Sequence, residues 1–310
     1  MKALEGRVAI ISGGARGVGA AISRALHANG ARVVVADNGA SIDGRVQDAA
    51  VAVEFVRRLG DGAIAFTEDI ASSNAAGLAV DFAVKEFGRL DIIVNNAAIL
   101  RDAFLFKANP VDFEAVWRVN LFAAFELLRM ATPVLRDQAK GDRGGAPYRW
   151  GRIINVVSSA GLYGNYGQAA YASAKAGLLG LTRVAALDMA RSGVTANAIA
   201  PFAASRVTES IIPANDAQAE YKKHGLTISP DYVGRFAAFL ATDAARSITG
   251  QLFGVRGREV FLFSQPRPVV RVTVKDDSFD ELERIATRDF APHFTPLETD
   301  LEAFSHAPIV

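Results

Sequence analysis

The chain has 310 residues, half of them hydrophobic and 22% charged, which suits one large α/β domain or two ordinary ones and excludes global disorder. Lysine plus arginine number 34 against 33 aspartates plus glutamates, a net charge of +1, so no basic excess exists to drive nucleic-acid binding. Cysteine is absent and the four histidines, His27, His224, His293 and His306, are scattered, which rules out disulfides, zinc–thiolate sites and cysteine nucleophiles and leaves a histidine metal site little to build from.

Short β-branched runs at Val8–Ile11, Arg32–Ala36, Ala63–Phe66, Asp91–Val94 and Arg152–Val157 predict five strands. Between them lie Ala-rich amphipathic stretches, at Ala20–Asn29, Asp48–Leu59, Asn74–Phe87, Val111–Arg136 and Gln168–Arg191, which predict helices. Nearly continuous apolar strands alternating with helices mean βαβ units and a doubly wound parallel sheet covered on both faces. Val194–Ile199 reads as a sixth strand and Gln251–Phe263 as a seventh. Asp137–Trp150 is Gly-rich and charged and is expected to be an exposed loop. Residues 264–310 carry five prolines and one helix over Ser278–Arg288. They are too short for their own core, so an extension packed on the domain or on a neighbouring subunit is expected after a domain spanning 1–263.

The first strand runs into Ser12-Gly13-Gly14-Ala15-Arg16-Gly17-Val18-Gly19 before an Ala-rich helix. A Gly-rich turn there lets the backbone approach a pyrophosphate and aims helix N–H groups at its charge; the alternative is a tight turn without a ligand. Asp37 ends the second strand, where a carboxylate accepts from both ribose hydroxyls and repels a 2′-phosphate, favouring NAD over NADP. Arg16 argues the other way, since a basic residue could pair with that phosphate. Asp69-Ile70 ends the third strand region and either flanks the adenine or forms an ordinary turn.

Tyr171 and Lys175 are four apart in a helix and share one face. An ammonium beside a phenol lowers its pKa from about 10, so that it can exchange a proton with an alcohol or ketone. Such a pair is often only an exposed helical pair. Here Ser158 ends the fifth strand 13 residues earlier, and Asn95-Asn96-Ala97-Ala98 follows the fourth, both at carboxyl ends where ligands bind in open α/β sheets. Asn120 lies within the long helix, where its amide is expected to bond an opened helical carbonyl or a water.

Together these motifs resemble the short-chain dehydrogenase/reductase family: the SGGARGVG turn, Asp69, NNAA, Asn120, Ser158, YASAK at 171–175 and Pro201 after the sixth strand. The match covers about residues 5 to 263. The resemblance implies a single Rossmann-type domain with a seven-stranded sheet, assembled as a homodimer or homotetramer. It implies Tyr171 as acid/base, Lys175 as pKa modulator and ribose ligand, Ser158 as holder of the substrate oxygen, and Asn120 in a proton relay. It also implies a cofactor held by Ser12, Gly13, Arg16, Gly17, Val18, Gly19, Asp37, Asp69, Ile70, Asn96, Ala97, Tyr171, Lys175 and Pro201. Three positions depart from the family: Ser12 stands for Thr, Ala98 for Gly, and Phe202 for the Gly after the proline.

More narrowly, VVVADNGAS, NNAAILRD, GLYGNYGQAAYASAKAGLLGL and IAPFAASRVTE resemble the (3R)-hydroxyacyl-CoA dehydrogenase domain of multifunctional β-oxidation enzymes and related bacterial steroid side-chain dehydrogenases. The expected activity is NAD-dependent interconversion of a secondary alcohol and a ketone, on a small-molecule substrate such as a 3-hydroxyacyl-CoA. A steroid or small-alcohol dehydrogenase, an NADPH-dependent 3-oxoacyl reductase and a non-catalytic nucleotide sensor are the alternatives. Ile211, Ile212 and Tyr221 either line a substrate pocket or pack ordinarily, and Arg206, Lys222 and Lys223 either meet CoA phosphates or stay solvated. No metal is expected. No apolar run approaches the roughly 20 residues a bilayer span needs. The N-terminus lacks a signal-peptide core and the C-terminus a peroxisomal address, so a reducing, cytoplasmic setting is expected.

Overall fold

A computed structural model of the chain describes residues 2–143 and 146–310. The chain order is β1 (Val8–Ser12), α1 (Gly17–Ala28), β2 (Arg32–Ala36), α2 (Ala50–Leu59), β3 (Ala63–Phe66), α3 (Ala75–Phe87) and β4 (Ile92–Asn95). There follow α4 (Pro110–Trp117), α5 (Ala123–Gln138), the two-residue strands β5 (Asp142–Arg143) and β6 (Ala146–Pro147), then β7 (Arg152–Val156), α6 (Ala160–Tyr163), α7 (Ala169–Asp188) and β8 (Thr195–Phe202). The remainder comprises α8 (Arg206–Ser210), α9 (Asp216–Gly225), α10 (Asp231–Leu240), β9 (Leu252–Arg256), β10 (Glu259–Leu262), α11 (Phe279–Arg284) and α12 (Asp300–Ala303).

The main sheet has eight strands in the order β10-β9-β8-β7-β4-β1-β2-β3, parallel except for β10. The expected count of seven is therefore corrected to eight. Gln251–Phe263 is interrupted at Gly257-Arg258, where Gly257 adopts a left-handed φ of 61°, and the chain folds back as a hairpin at the sheet edge. Core side chains divide between the two sheet faces. Ile22 and Leu26 of α1 pack with Val233 and Leu240 of α10 on one; Val80 of α3, Leu127 and Leu128 of α5 and Ala185 of α7 pack on the other. This burial on both faces is why the strands lack alternation.

The stretch expected as an exposed loop is partly structured. α5 continues to Gln138, β5 and β6 pair, and Tyr148 is buried with its hydroxyl donating to Asp91 at 2.5 Å; residues 144 and 145 lie outside the described residues. Asp91 also accepts from the Val8 amide at 2.9 Å and pairs with Arg89, fastening the amino-terminal edge of the sheet.

Residues 264–310 divide rather than forming one extension. Thr299–Val310 cluster with residues 1–263, and Ser264–Glu298 form a second unit. In that unit Ser278 caps α11 by accepting from the Glu281 amide, and a π-helical turn, Ile285–Phe290, continues the helix. In the main unit, Arg256 donates to the carbonyls of Phe304 and His306, which ties the last residues to β9. No helix among the described residues is long and apolar enough to cross a membrane.

Candidate active site

Strand order reverses between β1 and β4, and the crevice beyond the carboxyl ends of the strands opens there. It encloses about 400 Å³. The residues lining it come from the β1–α1 turn, the ends of β2, β4, β7 and β8, the face of α7, the α8–α9 region and the start of α12.

At one end lies the glycine turn. Gly13 and Gly17 adopt left-handed φ values of 62° and 52°. A Cβ on Gly13 would fall 2.9 Å from the Ala97 Cα, whereas one on Gly17 would meet only Ser205 at 3.9 Å. The first glycine is thus required by close packing, and the second leaves room on the cleft side. α1 begins at Gly17 with no side-chain cap, and Gly17, Val18 and Gly19 line the cleft. Uncapped first-turn N–H groups facing a cleft suit an anionic pyrophosphate. Ser12 lies beneath the turn and outside the cleft lining, which corrects its expected place among the cofactor contacts. Its hydroxyl accepts from the Asn96 and Ala97 amides at 3.0 and 3.2 Å, while the Asn96 amide group donates to the Ser12 and Gly13 carbonyls. The serine–asparagine clasp locks turn to strand, a role any β1 hydroxyl fills.

Asp37 is buried at the cleft edge; its carboxylate accepts from the Ala15 and Gly39 amides at 2.9 and 2.8 Å. Arg16 and Arg206 both donate to the Ala40 carbonyl and both line the cleft. Asp69 accepts from the Ala71 amide at 3.0 Å, and Asp69, Ile70, Ala97 and Pro201 line the cleft as well.

Ser158, Tyr171 and Lys175 meet on the cleft wall. A polar chain sets the strand ends: Asn95 donates to Asn155, which donates to Thr182 of α7, each at 2.8 Å. Burial pushes the Tyr171 phenol up to about 12, a hydrogen bond with Ser158 opposes this, and the charges of Asp300 and Asp102 add to the rise. Burial brings the Lys175 ammonium down to about 8. Lys175 donates to the Val156 carbonyl at 2.8 Å, and its Nζ stands 5.8 Å from the Tyr171 ring centroid. Burial therefore dominates the direction of the phenol's shift, and the ammonium is held by the strand.

Asn120 is brought near but not into the cleft. It sits in a π-helical turn, Arg118–Phe122, between α4 and α5. Its carbonyl accepts from the Ile99 amide at 2.8 Å, and its amide donates to the Ile99 carbonyl at 3.0 Å. The expectation of a bond to an opened helical carbonyl or water is corrected: both ends of the amide grip the loop after β4. One acceptor lone pair and one N–H of the amide remain beyond these two bonds.

Ile211 and Tyr221 line the cleft, whereas Ile212 is exposed. Lys222 donates to the Ile211 carbonyl and Lys223 pairs with Glu220, so of the three cations weighed for phosphate contact only Arg206 lines the cleft. Sequence reasoning missed Ser159, Gln168 and, above all, Asp300. Nothing local marks Asp300, which reaches the cleft from a segment 125 positions beyond Lys175.

The chain as a whole is similar to known proteins. Residues 7–215 match the short chain dehydrogenase family. The chain belongs to that family. It is 38% identical over 291 residues to the hydroxyacyl-CoA dehydrogenase ChsB1 of Mycobacterium tuberculosis, covering 93% of this chain and 89% of that protein. It is 33% identical to the peroxisomal hydratase-dehydrogenase-epimerase of Neurospora crassa over 89% of this chain, which spans 29% of that longer protein. Among solved structures, a short chain dehydrogenase from Mycobacterium avium superposes with a TM-score of 0.78 at 32% identity, covering 96% of this chain and 98% of that one. The protein is thus a nicotinamide-dependent oxidoreductase acting on hydroxyl groups, which sets aside the non-catalytic sensor.

Proposed function

We propose that this chain oxidises the secondary alcohol of a 3-hydroxyacyl-CoA to the ketone with NAD. The observation that carries the reading is the convergence of Ser158, Tyr171 and Lys175 in one cleft with Asp37 and the glycine turn, in a chain whose relatives include a hydroxyacyl-CoA dehydrogenase.

Ser158 holds the carbinol oxygen and Tyr171 takes its proton. The nicotinamide, when bound, supplies the hydride acceptor. Lys175 contributes a buried positive charge, anchored to Val156, that stabilises a phenolate once the phenol ionises. Asn120 acts as a positioning residue by fixing the backbone at Ile99. The glycine turn and Ile70, which line the cleft, would hold the dinucleotide. Asp37 would present a carboxylate to the ribose and disfavour a 2′-phosphate, while Arg16 donates to the Ala40 carbonyl.

Assembly belongs to the same proposal. Trp117, Phe122 and Phe125 are exposed around a groove floored by Leu121 and Leu181 of the adjoining α7. An apolar face of this kind fits a second copy of the chain, in a homodimer or homotetramer.

The test is a substrate scan followed by reduced-nicotinamide absorbance. A 3-hydroxyacyl-CoA with NAD should give the highest kcat/KM. Faster turnover of a free steroid alcohol, or of a 3-oxoacyl carrier-protein thioester with NADPH, would replace the reading.

A further inference from the structure

Asp300 is nine-tenths buried or more, at 4% exposure, on the wall of the cleft that holds Ser158 and Tyr171. One carboxylate oxygen accepts from the Ser159 hydroxyl at 2.7 Å. The other, Oδ1, is buried and makes no hydrogen bond of good geometry among the described residues, although the backbone N–H groups of Asp300 and Leu301 lie close enough to the carboxyl to favour its charged form. A buried carboxylate with an empty acceptor is costly unless something supplies a donor. The carboxyl is also built into place. Thr299 caps α12, accepting from the Glu302 amide while the Glu302 side chain accepts from the Thr299 amide. Four residues on, Phe304 packs on Phe202 at 4.5 Å between ring centroids. Phe202 occupies the position where the sequence departs from glycine, and its ring anchors the segment that delivers Asp300.

We propose that Asp300 is a specificity-determining residue whose Oδ1 accepts a hydrogen bond from the amide N–H of the substrate's pantetheine arm. This rests on the hydroxyacyl-CoA reading of the site. In such a substrate the reacting hydroxyl is committed to Ser158 and Tyr171. The thioester carbonyl and sulfur offer no donor. The next N–H along the chain is the first amide of the arm, two carbons beyond the sulfur. The Asp300 carboxylate is one residue from Ser158 in the fold, through its bond to Ser159, and in the hydroxyacyl-CoA reading it meets the arm as it leaves the reacting carbon. Leu301 and Tyr221, which feels the charge of Asp300, line the cleft as well.

The experiment compares two thioesters of one 3-hydroxyacyl group, the N-acetylcysteamine ester, which carries the amide, and the ethyl ester, which does not. The wild-type protein should favour the amide-bearing ester by about tenfold or more in kcat/KM, mainly through KM, as expected for a hydrogen bond to a charged acceptor. In Asp300→Asn, which keeps shape and the Ser159 contact but turns a donor toward the amide, the ratio should fall to about one. Asp300→Ala should do the same. General damage to the fold lowers both rates and preserves the ratio. A wild-type ratio near one, or a ratio kept in both variants, overturns the role of Asp300 while thioester turnover stands. If neither thioester is oxidised but simple secondary alcohols are, the hydroxyacyl reading itself falls, and the inference with it.

Discussion

Tyr171 starts from an unfavourable position for a base, because burial takes its phenol to about 12 and two nearby carboxylates reinforce the rise. Proton transfer through such a group needs the phenolate stabilised by positive charge at the moment of reaction, and Lys175 is the buried cation at hand. Tyr171→Phe keeps the ring and removes the proton carrier. It should lower kcat by about 10²- to 10⁴-fold with NAD affinity unchanged, read by initial rates and by cofactor titration. A variant that turns over at the wild-type rate would move the acid/base role elsewhere. Asp300 gives a second expectation, on stability. Burial raises its carboxyl to about 6 from an ordinary 3.8. Between those values the folded protein binds the proton more tightly than the unfolded chain, so this group's contribution to stability falls as pH rises through the window. The loss amounts to about 3 kcal/mol at neutral pH. Asp300→Asn does not ionise. Denaturant melts at pH 4 and pH 7 should show the variant gaining on the wild type by up to that amount at the higher pH. A pH-independent difference would mean that the carboxyl is not desolvated.

Which elements exist was legible in the sequence, and where they end was less so. β1, β2, β3, β4 and β7 carry runs of Val, Ile and Ala that a two-face-buried strand requires. The long helix over 111–136 was legible as a periodic stretch, but not its π-helical turn, because periodicity does not report one extra residue in a helical turn. That turn places Asn120 against Ile99 and splits the helix into α4 and α5. It also lies on the surface where Trp117, Phe122 and Phe125 are exposed. Apolar side chains on a solvent face carry no local mark of a partner, since the same residues at helical spacing read as core. If this face joins two copies, a charge in its middle must be desolvated on assembly. Phe125→Glu should therefore shift the protein toward monomer, measured by light scattering across a concentration series. Its thermal midpoint at high dilution should stay near that of the dissociated wild type. An unchanged mass would place the interface on another face.

At the scale of the molecule, one cleft is assembled from segments far apart in sequence. The glycine turn, the YASAK helix face and Pro201 were legible because each repeats a local pattern tied to backbone geometry. Asp300 was not, because its place depends on tertiary contacts alone. The aromatic group of Phe202, Phe261, Tyr163 and Phe304 holds the last residues against β8 and β10. Arg256, almost wholly buried, bonds the Phe304 and His306 carbonyls and pairs with Glu259. The tail is thus core rather than appendage, and one side chain tests it. Phe304→Ala opens a cavity among rings that cannot collapse to fill it, at a cost of about 3–5 kcal/mol in denaturant melts. It also loosens the segment holding Asp300 while leaving the glycine turn, at the other end of the cleft, untouched. The expected signature is a large loss of stability and a raised KM for the hydroxyacyl thioester, with NAD affinity near that of the wild type. A variant as stable as the wild type would show that residues 299–310 add nothing to the core. Equal losses in cofactor and substrate binding would show that the two ends of the cleft are not separable.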